Sequence, residues 1–451
     1  MRTLTFISLL LAASFLQAQI DTRIDAPASS ASAATTPGTD KTSDSENTKA
    51  SQQMPSLAGL QAEGGSETTD EFSLAGQVVG FADSRARQTA QGSQFGYASQ
   101  VGGQVKFRHT WGQASFLTQY AGGVSTGDTA NLGQNYQEVG VTQLYWHGRW
   151  HFMAGGHFTY LPESNFGFNV FRSIPDANAS LNSAGLPGQT VFTQPTTQMH
   201  ETAVSEVDYQ LGRLSSLTMY GIFSRQSFDN RNLLNTNQID LTVAYNHALN
   251  RRDAMAVSYS FSEFDFDNTQ AQLLTHSIQF FFQHRLGPRF GLKLSAGPQI
   301  RDFQNIAGER TGLRVAMAGS ADLDVQLKKT HIDLGYLRQT TSGSGVLVGA
   351  LVDQFSISAD RRLGRALHGA LSMAYAHTSG IESFPAALQQ SYNALYAIVK
   401  LDRNLGRNMD GFISYGVQVQ GSQTVGASVA YPTRHLLTIG LVFHPQPVRL
   451  H

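Results

Sequence analysis

The sequence predicts an all-β chain: a transmembrane, antiparallel, up-and-down β-barrel of about 18 strands. Three observations predict it. Eight short turns, most with a glycine beside a basic residue, recur at steps of about 35–42 residues with one step of 64: His109–Gly112, His147–Arg149, Leu211–Arg213, Asn250–Asp253, Leu286–Arg289, Lys328–Thr330, Leu363–Arg365 and Leu405–Arg407. Each turn is flanked by segments of roughly ten residues that alternate apolar and polar side chains. Longer polar loops alternate with the short turns. Together these describe an outer-membrane barrel with short periplasmic turns and longer extracellular loops.

The elements follow in chain order. Residues 1–18 read as a secretory signal, with Arg2 supplying the charge, Leu4 to Leu16 the apolar core and Ala18 the cleavage point. Residues 19–71 read as a disordered periplasmic linker. Its stretch 27–53 is dominated by Ser, Thr, Ala, Asp, Lys and Gln, which cannot bury enough apolar surface to offset ordering entropy. The barrel is assigned to residues 72–443. Its first strand is expected at about Phe72 to Ala82, sixteen more come from the eight hairpins, and the last lies at about Arg434 to Phe443. An even total puts both ends on the periplasmic side. Closure is required, because an open sheet edge in hydrocarbon leaves N–H and C=O groups unpaired. Residues 444–451 are left as a C-terminal tail.

Bulk composition agrees. The 451 residues carry 32 basic and 33 acidic side chains, which gives no reason to invoke nucleic acid as a partner. There is no cysteine, so disulfides, thiolate metal sites and a lipid anchor on a processed Cys are excluded. Only 14% of residues are charged, against about 25% in an ordinary soluble domain.

Alternation also assigns faces. In 313–327 the apolar set Leu313, Val315, Met317, Leu323 and Val325 faces lipid, and Arg314, Asp322 and Asp324 face the lumen. Charge on the lipid face near the midplane costs about 2–4 kcal/mol, so charged residues in patterned strands belong inside. The pore-lining set is therefore Lys106, Arg108, Glu206, Asp208, Asp240, Lys293, Arg301, Arg314, Asp322, Asp324 and Asp333. Lys293, Arg301 and Arg314 lie on neighbouring strands and should form one basic patch. Trp111, Trp146 and Trp150 all sit at short turns and should belong to a periplasmic aromatic girdle. A soluble β-helix or sandwich would show the same alternation with the faces exchanged.

On these features the chain resembles the bacterial porin superfamily over roughly residues 72–443. The final strand His435-Leu436-Leu437-Thr438-Ile439-Gly440-Leu441-Val442-Phe443 looks like the terminal assembly signal of such barrels, although His444 to His451 follow the aromatic. The resemblance implies outer-membrane lipids and the barrel assembly machinery as partners, and a homotrimer. It also implies that the long loop 161–200 folds inward as the constriction, through Phe166, Phe168, Phe171, Arg172 and Asp176.

Catalytic chemistry is not legible. There is no phosphate loop and no His-Glu-x-x-His, and the fourteen histidines are scattered. No enzyme, cofactor or metal is expected. The leading function is a channel for passive passage of small hydrophilic solutes, with saccharides among the candidates. A polysaccharide export pore and a plugged structural or adhesion barrel stay open as alternatives.

Overall fold

A computed structural model describes residues 70–89, 92–127, 135–161, 191, 197–231, 233–250, 252–267, 269–287, 289–305, 308–343, 345–381, 391–423, 431–446 and 448–450. The signal, the linker as far as residue 69 and the five named residues of loop 161–200 lie outside them.

The strands are β1 (Asp70–Thr89), β2 (Gly92–Trp111), β3 (Ala114–Gly127), β4 (Asn135–His147), β5 (Trp150–Leu161), β6 (Gln198–Gln210), β7 (Ser215–Phe228), β8 (Thr236–Ala248), β9 (Asp253–Phe266), β10 (Gln272–Gly287), β11 (Phe290–Gln304), β12 (Arg310–Gln326), β13 (Thr330–Thr341), β14 (Ala350–Arg362), β15 (Leu367–Gly380), β16 (Ser391–Asn404), β17 (Met409–Gln423), β18 (Tyr431–Phe443) and the short β19 (Val448–Leu450). Each of the first seventeen pairs antiparallel with the next. β18 then pairs with β1, from Gly76↔Phe443 to Asp83↔Leu436, and closes the barrel. The tail adds to this seam. β19 pairs with the start of β1 from Asp70↔Leu450 to Phe72↔Val448, so part of the C-terminal tail supplies a further edge partner.

The eight short turns fall where glycine spacing puts them. Two are two-residue hairpin loops, closed by Trp111↔Ala114 and His147↔Trp150. Gly112 and Gly148 take positive φ there, at 51° and 60°, as primed turns between twisted strands require. Of the two turns without glycine, the one at 250–253 uses asparagine instead: Asn250 Oδ1 accepts from the backbone N–H of Arg252 at 2.7 Å and of Asp253 at 3.1 Å, an Asx turn.

Exposure decides between the two readings of the alternation. Val78, Val101, Ile278, Phe280, Phe355 and Ile439 stand exposed on the outer face, while Thr242, Ser258, Thr275, Thr378, Gln418 and Thr438 on the opposite face are buried. This inverts a soluble protein, whose apolar side chains are buried and polar ones solvated. A closed sheet with a continuous apolar exterior is a membrane-spanning barrel. Trp111 and Trp150 lie on that exterior at the periplasmic rim. Trp146 does not. It pairs with His151, its ring 5.2 Å away, and His151 shares a face with lumenal Asp208. In a two-residue hairpin, positions 146 and 150 fall on opposite faces, so one of the two indoles must point inward.

Candidate functional site

The lumen is the concave polar surface of this fold, and three features shape it. The first is a separation of charge around its periplasmic half. Lys106 and Arg108 lie on β2 near its turn, with Arg108 opposite Glu71 on β1. Asp322 and Asp324 lie on β12, ten strands away in one direction and eight in the other, so they face the basic pair across the barrel. Cross-strand register extends the acidic wall: Asp324 sits opposite Asp333, and His331 opposite Asp360. Lys400 bonds Asp402 at 2.7 Å further round and lies 5.1 Å over the Phe412 ring. His331 Nε2 stands 2.8 Å from Asp333 Oδ2 and 3.9 Å from Asp324 Oδ2. Ligand atoms of these three residues all lie within 4.8 Å of one another, closer than scattered histidines would suggest. Carboxylates held this close around one imidazole would receive a hard cation.

A second acidic group occupies β6 and β8. Thr218 donates to Asp208, Gln238 Nε2 donates to Asp240 at 2.6 Å, and Glu206 sits opposite Tyr220. Lys293 belongs with the acidic wall rather than with the arginines, because it is directly opposite Asp322. Arg301 and Arg314 are directly opposite each other eight positions higher on β11, about 26 Å away at 3.3 Å per residue. The single basic patch expected from neighbouring strands therefore resolves into two places. Strand adjacency fixes angular position; only register fixes height.

The second feature is a bridge across the extracellular mouth. Between β13 and β14 the chain reads Ser342-Gly343-Ser344-Gly345-Val346-Leu347-Val348-Gly349. The Gly345 carbonyl accepts from the Leu234 N–H at 2.8 Å, and the Gly349 carbonyl from the Ile381 N–H at 3.2 Å. Leu234 follows β7, six strands from β13, so this segment spans the opening. Leu347 packs in a buried cluster with Val191, Ala350 and Tyr392. Val348 packs on Phe264, Phe266, Leu273, Phe303 and Ile381. Gly343, Gly345 and Gly349 have φ of 85°, 75° and 73°, a backbone L side chains rarely adopt. The sequence held one signal for this bridge: an apolar triple that breaks two-residue alternation inside a glycine-rich loop. Val191 is the one described residue within 162–196, and its place against Leu347 brings that part of the long third loop to the same bridge.

The third feature is the seam. Arg434 Nε donates to Asp83 Oδ1 at 3.1 Å and Oδ2 at 2.9 Å, with both side chains buried. Below it Val79, Phe81, Leu436, Val442 and Phe412 form an apolar strip on the inner wall. Among the described residues one Ser–His pair comes within hydrogen-bond reach, Ser215 Oγ and His247 Nδ1 at 2.9 Å. Among the described residues no carboxylate orients that imidazole, as a hydrolytic triad would require.

No family model matches the chain, and no curated protein matches it. Solved structures do. The Pseudomonas aeruginosa protein OpdK, crystallised with vanillate, aligns at 10% identity and a TM-score of 0.45 over 84% of this chain and 99% of that one. Pseudomonas aeruginosa OpdQ aligns at 9% and 0.44 over 84% and 99%, and Acinetobacter baumannii OccAB1 at 10% and 0.45 over 85% and 97%. On its own strand pairing and exposure, the chain is a closed 18-strand antiparallel barrel of the outer-membrane type.

Proposed function

We propose that the protein is an outer-membrane channel for passive passage of small hydrophilic solutes, with a transverse electric field across its periplasmic half. The carrying observation is Lys106 and Arg108 on β2 facing Asp322, Asp324 and Asp333 across the lumen. Barrels of 16–18 strands are too wide for wall side chains to fill, so this polar face encloses water. Opposed charges across a pore orient dipolar solutes and discriminate weakly between simple ions. Small solutes carrying both donors and acceptors, saccharides included, suit such a field better than apolar ones. Purified protein in a planar bilayer is expected to give stepwise ionic conductance. A folded barrel that never conducts would overturn the reading and favour a plugged scaffold, which the 342–349 bridge supports as the second possibility.

A further inference from the structure

The barrel wall parts between β12 and β13. Their ladder runs from Gln326↔His331 only as far as Gly319↔Arg338. β12 continues upward to Arg310 and stays paired with β11 on its other side. Among the described residues, no strand pairs with the other edge of 310–318. β13 leaves the wall at this height. Continued register would put Thr340 beside Met317, yet the Thr340 hydroxyl donates to Gln299 Oε1, on the lumen face of β11, at 2.6 Å. The chain then runs directly into the bridge across the mouth, so the inward turn of β13 both builds the bridge and opens a slot. A span of about 9–11 residues counted up from Gln326 ends near Ala316. The slot thus lies at the level of the outer headgroups, where free backbone groups meet water rather than hydrocarbon.

Its two sides differ in chemistry. On the lumen side Arg301 and Arg314 stand directly opposite each other, an arrangement in which like charges repel. Carboxylates on the adjoining strands are already engaged: Asp302 by Arg310 at 3.6 Å, and Asp353 by Arg338 at 3.0 Å. Among the described residues neither Arg301 nor Arg314 forms an ion pair, and Arg301 Nε is buried with no hydrogen-bond partner. Arg338 adds a third charge that acts on Arg301. On the lipid side Leu313, Val315 and Met317 are 74%, 71% and 57% exposed.

We propose that this slot is a lateral binding site for an anionic amphiphile of the outer leaflet, its phosphate or carboxylate head held between Arg301 and Arg314 and its alkyl chain running from Val315 past Met317 down into the leaflet. Two guanidinium forks match the oxygens of such a head, and one anion relieves their mutual repulsion. The chain need not leave the bilayer, because the wall is open at that height. This goes beyond an aqueous channel, which requires no opening to lipid.

The test uses the full barrel in dodecyl maltoside micelles, with dodecyl phosphate as probe and inorganic phosphate as the comparison without a tail. Binding is counted by native mass spectrometry, and folding is checked by heat-modifiable migration in SDS gels. One dodecyl phosphate per barrel is expected, at least tenfold tighter than inorganic phosphate. R301Q/R314Q should weaken it at least tenfold. Met317→Asp, which leaves both arginines in place, should weaken it similarly, and Arg407→Gln at a periplasmic turn should bind as the unaltered chain does. Equal affinity for the two probes would overturn the lateral site in favour of a water-filled anion site. Binding that survives both the arginine and the Met317 changes would place it elsewhere and overturn the proposal. A barrel that conducts ions but binds no dodecyl phosphate would sink this inference alone and leave the channel standing.

Discussion

At the scale of single residues, the Asp83–Arg434 pair shows what alternation can and cannot reveal. The pattern of the last strand puts Arg434 at its start, on the face away from Leu437 and Ile439. It does not supply a partner 351 positions earlier in the chain, because that contact exists only once the barrel closes. The pair is buried, so removing one member strands a charge. Arg434→Ala or Asp83→Ala should lower barrel stability by about 3–5 kcal/mol, read as a fall in the urea midpoint of unfolding. The joint change D83N/R434Q leaves no charge behind and should cost clearly less than the two single losses added. Additive losses would mean that the two side chains act independently. Arg301 and Arg314 make a second test at this scale. Neutralising both removes two positive charges from the upper lumen and should move the reversal potential in a salt gradient towards cations, with little change in stability, because opposed like charges add nothing to it. A large loss of stability with unchanged selectivity would put these side chains on the wrong face.

At the scale of elements, the strands and turns were legible and the bridge was not. Every short turn lies where glycine, asparagine and basic residues mark it, because turn geometry is local chemistry. Strand faces were legible because lipid punishes a misplaced charge. The expected limits of the first strand, Phe72 to Ala82, fell short of the observed Asp70–Thr89, since strand above the membrane is under no such constraint. Segment 342–349 carries little local signal because its packing partners come from four other connections and strand ends around the rim. Its role can be tested without touching the wall. Replacing Val346, Leu347 and Val348 with Gly, Ser and Gly removes the apolar side chains that seat it on Leu273, Ile381 and Tyr392. Single-channel conductance should then rise several-fold, with the stepwise character retained. Unchanged conductance would show that the bridge lies off the permeation path.

At the scale of the whole molecule, closure turns a local sequence pattern into a directed field. Only a complete circuit of eighteen strands sets β2 opposite β12, and only then do Lys106 and Arg108 face Asp322, Asp324 and Asp333. The two walls should therefore act with opposite sign on the same measurement. K106Q/R108Q leaves the acidic wall unopposed and should shift the reversal potential towards cations. D322N/D324N leaves the basic wall unopposed and should shift it towards anions. Combining all four removes most of the field, and selectivity should return close to that of the unaltered channel while discrimination among dipolar solutes falls. Salt supplies an internal check. The Debye length is about 10 Å at 0.1 M and about 3 Å at 1 M, so a field spanning the lumen should be strong in dilute salt and largely screened in molar salt. The single-wall shifts should shrink accordingly between the two. Shifts of the same sign from both walls, or shifts that ignore ionic strength, would mean that these residues act through local pairing rather than across the pore.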